Sequence, residues 1–185
     1  LERKLRLRVS ATKTKVVRPT KSNFLGFTFW KSKDGWKSRP VKDRKKKLYE
    51  KTREILCRKK AAARTIKSTF MQLNWLIRGW INYYRIGSMK GFLDEYGQWL
   101  RHKVRVVILK QWKKPKTIFK NLMALNRIQK CGLEEKRLLS VANARQGWYR
   151  MATIRDINFL LNPTILGKKT KSRPGLVDPL AYYLN

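Results

Sequence analysis

The sequence predicts a mainly α-helical protein, with a short N-terminal β-hairpin followed by a three-helix bundle and a smaller helical C-terminal module. Three observations support this fold class. Residues 24–30 form an aromatic run that precedes an Asp-Gly dipeptide, which is typical of a hairpin. No glycine or proline occurs between Pro40 and Gly79, and apolar residues recur there at helical spacing. The same spacing returns after Gly91, so the helical character continues along the chain.

The hairpin is predicted from its turn outwards. Asp34 and Gly35 favour a tight turn, so residues 27–30 should pair with residues 36–39, with Trp30 and Trp36 near the end of the hairpin. The whole aromatic run over residues 24–30 has the composition of a strand. Residues 5–9 alternate apolar and basic side chains and predict a further strand.

The helical part divides at two places. Two helices are predicted after Pro40, with a break near residues 58–64, and residues 91–113 predict a third long helix. Beyond Pro115 we expect shorter helices at residues 118–125 and 133–144, then an irregular tail. Residues 167–175 are basic and rich in glycine and proline, which predicts a linker that is mobile unless it is bound. The predicted boundaries give three units at 1–40, 41–114 and 115–185.

Charge dominates the composition. A total of 46 Lys and Arg against 11 Asp and Glu gives a formal net charge of +35 and a pI near 10.9. Such a chain attracts polyanions, and counterion release from nucleic acid would supply much of the affinity. An anionic membrane is the weaker alternative, because no stretch approaches the roughly 20 apolar residues that span a bilayer. The sequence therefore predicts a nucleic-acid partner and no membrane.

The candidate contacts come from basic runs and from one mixed helix over residues 74–85. That helix interleaves aromatic, amide and arginine side chains, and arginine can pair with phosphate while aromatic planes stack on bases. The alternative is that the basic runs are solvated helix faces. The candidate nucleic-acid contacts are Lys45, Lys46, Lys47, Arg58, Lys59, Lys60, Lys67, Arg78, Asn82, Arg85, Lys113, Lys114, Lys116, Arg145 and Arg150.

Aromatic side chains could serve as base platforms or as core. Trp80 and Tyr84 share one helical face, which favours the core, while Arg78 and Asn82 fall on another face. Gly79 should permit the close approach of a helix or of a nucleic-acid backbone. The aromatic residues left open between stacking and core are Trp75, Trp80, Tyr83, Tyr84, Trp148 and Tyr149.

The sequence gives little support to a catalytic function. The aspartates are scattered, with no paired carboxylates to bind the two metal ions of nucleotidyl transfer. Cys57 and Cys131 lie far apart and His102 is the only histidine, so the ligands of a zinc finger or an HNH-type nuclease are lacking. No secretory signal is visible, and we expect both cysteines to be reduced in an intracellular protein. We therefore predict no catalytic residue, no metal site and no cofactor in this chain.

Several motifs resemble one family. Residues 13–17 followed by Phe24-Leu25-Gly26-Phe27 resemble the last palm blocks of group II intron reverse transcriptases, where this hairpin lies at the primer-gripping edge. Residues 78–85 look like the signature of the maturase-specific, or thumb, domain of the same family. Residues 142–152 and 178–183 are similar to the C-terminal region of bacterial members that lack an endonuclease. The resemblance identifies residues 1–40 as the end of a palm, 41–114 as a thumb and 115–185 as a small nucleic-acid-binding module.

The resemblance implies a function in the bacterial cytoplasm. Thumb helices of this kind clasp group II intron RNA and the template–primer duplex, and they assist splicing and retrohoming, with target DNA as a further partner. The chain begins with Leu1, and we expect a fragment whose catalytic aspartates, in a YADD-type motif, lie upstream. Mg²⁺ is expected only at that palm active site, so RNA-directed DNA polymerisation is not assigned to these 185 residues.

Two alternatives remain open from the sequence. One is a stand-alone, nonspecific basic nucleic-acid-binding protein derived from a maturase. The other is a complete polymerase whose N-terminal half is encoded just upstream, and we favour this one over the stand-alone protein. The sequence does not predict which intron RNA is recognised or whether the protein dimerises.

Overall fold

The computed structural model describes residues 16–171 and 173–185. The predicted strand at residues 5–9, and residues 13–15 of the first palm-like motif, lie outside the described residues. Within them the chain is mainly helical and carries one antiparallel hairpin, so the predicted fold class is confirmed.

The hairpin pairs as the sequence predicts. Strand β1 (Phe27–Ser32) runs antiparallel to strand β2 (Gly35–Pro40), with Trp30 opposite Lys37. Gly35 has a φ of 114°, a backbone conformation that glycine adopts without a Cβ clash. An ion pair of 2.8 Å between Lys37 Nζ and Asp34 Oδ2 lies beside the turn.

The start of the aromatic run differs from the prediction. Residues 24–27 form a tight reverse turn, because Phe24 N donates to Phe27 O at 3.0 Å and Phe27 N donates to Phe24 O at 2.9 Å. The two central residues, Leu25 and Gly26, have φ values of 52° and 83°, as a tight hairpin turn of type I′ requires. The prediction of a strand from residue 24 is therefore wrong by three residues, and the strand begins at Phe27.

A short 3₁₀ turn at Pro19–Lys21 precedes the hairpin, and α-helices follow one another after it. They are α1 (Lys42–Ile55), α2 (Arg58–Ala63), α3 (Ile66–Tyr84), α4 (Lys90–Trp112), α5 (Pro115–Gln129), α6 (Glu135–Ala142), α7 (Trp148–Met151), α8 (Arg155–Leu160), α9 (Pro163–Gly167) and α10 (Pro179–Leu184). The predicted break near residues 58–64 is the short helix α2, and the tail predicted to be irregular contains α8, α9 and α10.

Local signals explain several helix ends. Thr65 caps α3, since Ser68 N donates to Thr65 Oγ1 at 3.3 Å. Lys113 has a φ of 55° and reverses the chain after α4, and Pro115 occupies the first turn of α5. Asp178 caps α10 through a 3.0 Å bond that Ala181 N donates to Asp178 Oδ1.

The core is centred on α3 and α4. Phe70, Leu73, Leu93 and Leu100 are completely buried in one hydrophobic cluster that also takes in residues of the hairpin and of the C-terminal segments. A 2.7 Å hydrogen bond joins the hydroxyls of Thr52 and Tyr96 inside this cluster. All three predicted units thus contribute to one core, while the boundaries at residues 40 and 114 stay a prediction.

The end of the chain returns to α3. We call residues 173–185 the C-terminal strap. Asn74 of α3 donates from Nδ2 to Gly175 O at 2.7 Å and accepts from Val177 N at 2.9 Å. Arg173 donates to the carbonyls of Ile165 and Leu166 at 2.9 and 3.0 Å. The prediction that this linker is mobile unless bound is therefore wrong at Arg173 and Gly175, because contacts within the chain itself hold both residues.

Helix α10 completes the strap. Arg101 of α4 pairs with Asp178 at 3.0 Å, and the Tyr183 hydroxyl donates to Gly87 O at 2.8 Å. The Tyr182 hydroxyl donates to Asn82 Oδ1 at 3.1 Å. These bonds hold α10 against α3 and α4, and one of them involves Asn82, a candidate nucleic-acid contact.

Candidate nucleic-acid interface

A groove of about 460 Å³ runs between α1 and α3. We call it the α1–α3 groove. Its lining residues are Arg44, Lys47, Leu48 and Lys51 from α1 and Trp75, Leu76, Gly79, Trp80, Tyr83 and Tyr84 from α3. One wall is therefore basic and the other is aromatic.

The aromatic wall separates into exposed and buried rings. Trp75 is 65% exposed and Tyr83 is 56% exposed, whereas Tyr84 is only 5% exposed. Trp80 is half-buried and packs against Tyr84, with ring centroids 4.6 Å apart. Trp80 and Tyr84 thus lie in or against the core, and Trp75 and Tyr83 present their rings to solvent.

The basic wall follows from helical spacing. Lys47 and Lys51 lie one turn apart on α1, and both side chains are exposed. Arg44 lies one turn earlier on the same face. Cations opposite exposed aromatic rings form the arrangement that holds single-stranded nucleic acid, with phosphates on the cations and bases on the rings.

Gly79 keeps the groove open between Trp75 and Tyr83. Among the residues that the structure describes, no heavy atom outside its own helix and neighbours lies within 4 Å of a Cβ added at this position. The close helix contact that the sequence allowed is therefore not present there. Close approach of a nucleic-acid backbone stays a prediction.

The two family-like motifs touch each other. The Tyr83 hydroxyl donates to Leu25 O at 3.1 Å, and the Phe27 and Tyr84 rings lie 5.1 Å apart. A Cβ at Gly26 would meet the Tyr84 hydroxyl at 2.8 Å, so only glycine fits this approach. Burial raises the pKa of Tyr84, against an opposing effect of Arg44. The turn at residues 24–27 thus positions the end of α3 that carries Tyr83.

The predicted cluster of three lysines divides among different surroundings. Lys45 is half-buried with its Nζ 4.8 Å from the centre of the Phe92 ring, and burial, followed by the charge of Arg39, lowers its pKa. Lys46 is exposed, 3.9 Å from Glu50. Of the three, Lys47 alone lines the α1–α3 groove.

The other predicted contacts on α3 face the C-terminal strap. Arg78 lies 5.8 Å from the centre of the Tyr182 ring, and Asn82 accepts the Tyr182 hydroxyl bond. Both remain exposed, as does Arg85 just after α3. Their contact with RNA stays a prediction.

Four further candidates lie in α2 and at the start of α3. Arg58 begins α2, whose Lys59 and Lys60 are exposed, and Lys67 is exposed in the first turn of α3.

A second pocket gathers candidates from distant parts of the sequence. Lys113, Arg145 and Trp148 line it together, at the connection of α4 and α5. The exposed residues Lys114, Lys116 and Arg150 do not line it. Tyr149 packs instead on α4, with its ring centroid 4.4 Å from that of His102.

Sequence reasoning missed the groove residue Lys51, and it marked Arg44 only as the first residue of the basic run 44–47. Lys51 had a usable signal, since it follows Lys47 by four residues and therefore shares its helical face.

Among residues 16–171 and 173–185, no group of three or more His, Cys, Asp or Glu could hold a metal ion. Cys57 is exposed and Cys131 is half-buried, and both are free thiols. No helix in these same ranges is long and apolar enough to cross a bilayer.

A basic helical bundle with an aromatic groove is the kind of protein that binds single-stranded or irregular nucleic acid. Comparison with protein families narrows this class. Residues 45–125 match the model of the group II intron, maturase-specific domain, a stretch that runs from α1 into α5. No curated protein matches the chain.

Proposed function

We propose that this chain is the RNA-gripping maturase, or thumb, portion of a group II intron reverse transcriptase, and that it assists splicing and retrohoming. One observation carries the proposal. The α1–α3 groove places exposed lysines opposite exposed aromatic rings, and Lys47, Lys51, Trp75 and Tyr83 all fall within the matched residues 45–125.

The grip works through two kinds of contact. Lys47 and Lys51 bind successive phosphates, while Trp75 and Tyr83 stack on the bases between them. The net charge of +35 adds long-range attraction that brings any RNA to the surface. Exposed rings then favour RNA whose bases are unstacked, which is characteristic of the loops and junctions of a folded intron.

The proposal extends to the wider partners. Template–primer and target DNA would use the same basic surface, in the bacterial cytoplasm where the intron RNA is transcribed. No reacting group is assigned to the described residues, so their contribution is to bind and orient RNA. Mg²⁺ would belong to a palm active site and is not needed for the grip.

A filter-binding titration over a salt series tests the proposal. The full chain is titrated with a structured group II intron RNA and with a length-matched unrelated RNA. We expect the intron RNA to keep an advantage of about tenfold, or about 1.4 kcal/mol, at the highest salt. Equal affinities with identical salt slopes would contradict maturase-type recognition and would favour a nonspecific basic clamp.

A pair of variants assigns the phosphate contacts to the groove. The double variant Lys47→Gln, Lys51→Gln should lower the salt slope by about 1.4, because each phosphate contact with a single strand contributes about 0.7. The matched control is Lys120→Gln, Lys136→Gln, which removes the same charge from exposed residues that do not line the groove. An equal decrease of the salt slope in the two double variants would show that the α1–α3 groove is not the site of these phosphate contacts.

A further inference from the structure

A pocket of about 260 Å³ lies where the connection of α4 and α5 meets the end of α6 and helix α7. We call it the Trp148 pocket. It is separate from the α1–α3 groove, because the two have no lining residue in common.

The floor of the Trp148 pocket is apolar. Ile118, Ala142 and Met151 line it and are each at most 2% exposed, and the half-buried Trp148 forms part of its wall. A planar apolar ring placed against this indole would be removed from water on several sides. The pocket therefore has the surroundings that an aromatic ligand requires.

The rim of the pocket is basic. Lys113 and Arg145 both line it and both are exposed, although they are far apart in sequence. None of the described residues that line the pocket is acidic. A ligand that is planar and apolar in its centre and anionic at its edges matches this distribution, and a nucleotide has that chemistry.

The wall that carries Trp148 is held in place from the opposite side. Tyr149 packs edge-on against His102, and Lys103 Nζ lies 4.8 Å from the centre of the Tyr149 ring. Met151 N donates to Gly147 O at 3.0 Å, across the turn in which Gly147 has a φ of 77°. Neighbouring rings thus have different roles, since Tyr149 anchors the segment to α4 and Trp148 lines the pocket.

We propose that the Trp148 pocket receives one unpaired nucleobase of the bound RNA, with its ring against Trp148 and its flanking phosphates on Lys113 and Arg145. The inference rests on the proposed function, which supplies RNA as the class of ligand. It adds a second site, whose aromatic contact Trp148 lies outside the matched residues 45–125. Bases inside a duplex are stacked on each other and cannot reach the apolar floor of this pocket. The site therefore selects a bulged, looped or terminal nucleotide.

Photocrosslinking tests where an unpaired base binds. The full chain is irradiated with an RNA hairpin that carries a single bulged 5-iodouridine, and the tryptic peptides are analysed by fragmentation. Trypsin releases residues 146–150 as one peptide, because Arg145 and Arg150 precede its two cleavage points. We expect the crosslink on Trp148. A crosslink only on Trp75 or Tyr83 would overturn this inference and leave the α1–α3 groove as the RNA site.

Affinity provides an independent readout. Wild-type chain should bind the bulged hairpin about tenfold more tightly than the same hairpin without the bulge. Arg145→Gln should reduce this preference to about twofold, while the matched control Arg127→Gln, an exposed arginine of α5 outside the pocket, should keep it. Equal binding of the two hairpins by wild type would overturn the inference, even if intron RNA still binds. Failure to bind any RNA would overturn the proposed function as well.

Discussion

Replacement of Trp75 by Ala separates RNA binding from folding. Trp75 is 65% exposed, so about a third of it is covered by the protein. Full burial of a large apolar side chain contributes about 1.5–3 kcal/mol, and the covered third should contribute about 1 kcal/mol or less to the free energy of unfolding. Loss of one stacked base costs about 1–3 kcal/mol, which corresponds to RNA binding weaker by about 5- to 140-fold.

The assay is filter binding across a salt series, with a thermal melt of each protein. Trp75→Ala removes no charge, so the salt slope should stay at the wild-type value while the affinity falls at every salt concentration. The matched control is Trp36→Ala, a tryptophan of β2 that is 55% exposed and lies outside the groove. Wild-type affinity in Trp75→Ala, or an equal loss in Trp36→Ala, would refute the stacking argument.

Three further predictions concern the fold that supports the groove. Asn74→Ala should lower the free energy of unfolding by about 2–5 kcal/mol in a urea titration, because Gly175 O and Val177 N lose their partners. The control Asn143→Ala, at an exposed position, should lower it by about 1 kcal/mol or less. Equal losses in the two variants would contradict this role of Asn74. Gly26→Ala should destabilise the folded protein more than Gly35→Ala does. Both glycines have positive φ, but only at Gly26 would the added Cβ also lie 2.8 Å from the Tyr84 hydroxyl. Equal melting temperatures of the two variants would argue against that contact. Burial, followed by the charges of Lys103 and Arg105, lowers the pKa of His102 below its usual 6.5, against an opposing Ala152 backbone bond. The folded state then binds fewer protons than the unfolded state, so the stability from neutral His102 is present above about pH 6.5 and is lost as the pH falls through the lowered pKa. Unfolding of wild type and His102→Gln at pH 8 and pH 5 checks the sign, and a wild-type advantage that grows towards pH 5 would show it to be wrong.

The sequence predicted those parts of the fold that depend on neighbouring residues. The Asp34-Gly35 turn and the long stretch without glycine or proline before Gly79 are local signals, and the hairpin and helices α1 and α3 follow them. Helix α4 follows the helical spacing of apolar residues after Gly91. The turn at residues 24–27 was missed because an aromatic run favours a strand, whereas Leu25 and Gly26 both adopt positive φ.

Contacts between distant residues could not be predicted in this way. Asn74 binds the backbone of Gly175 and Val177 about a hundred residues later, and no local pattern marks this pairing. A glycine- and proline-rich basic segment looks mobile when its partners are unknown. Arg173 is instead held by two carbonyls and by the Phe70 ring, 4.9 Å from its guanidinium.

The candidate site was predicted from the composition of the basic runs, without considering the direction in which each side chain points from its helix. Successive residues of a helix point about 100° apart, so Lys45, Lys46 and Lys47 could not share one surface. The spacing of four between Lys47 and Lys51 is the pattern that marks a face of α1. Helical direction, applied to the basic run, would have found the basic wall of the groove.

Cations lie over aromatic rings both in the core and on the surface of this protein. The role of each ring depends on whether its remaining surface is buried or exposed to solvent. Lys45 covers Phe92, and Arg173 covers Phe70, which is completely buried. The Phe70 ring has no face left for a base and the half-buried Phe92 packs against the core, so these cations stabilise the fold. Trp75 keeps most of its surface in solvent beside the lysines of α1, and a base can stack there without displacing any part of the core. With a net charge of +35, basic residues alone do not mark a binding site, so the proposed contact at Trp75 depends on the exposed ring as well as on the neighbouring cations.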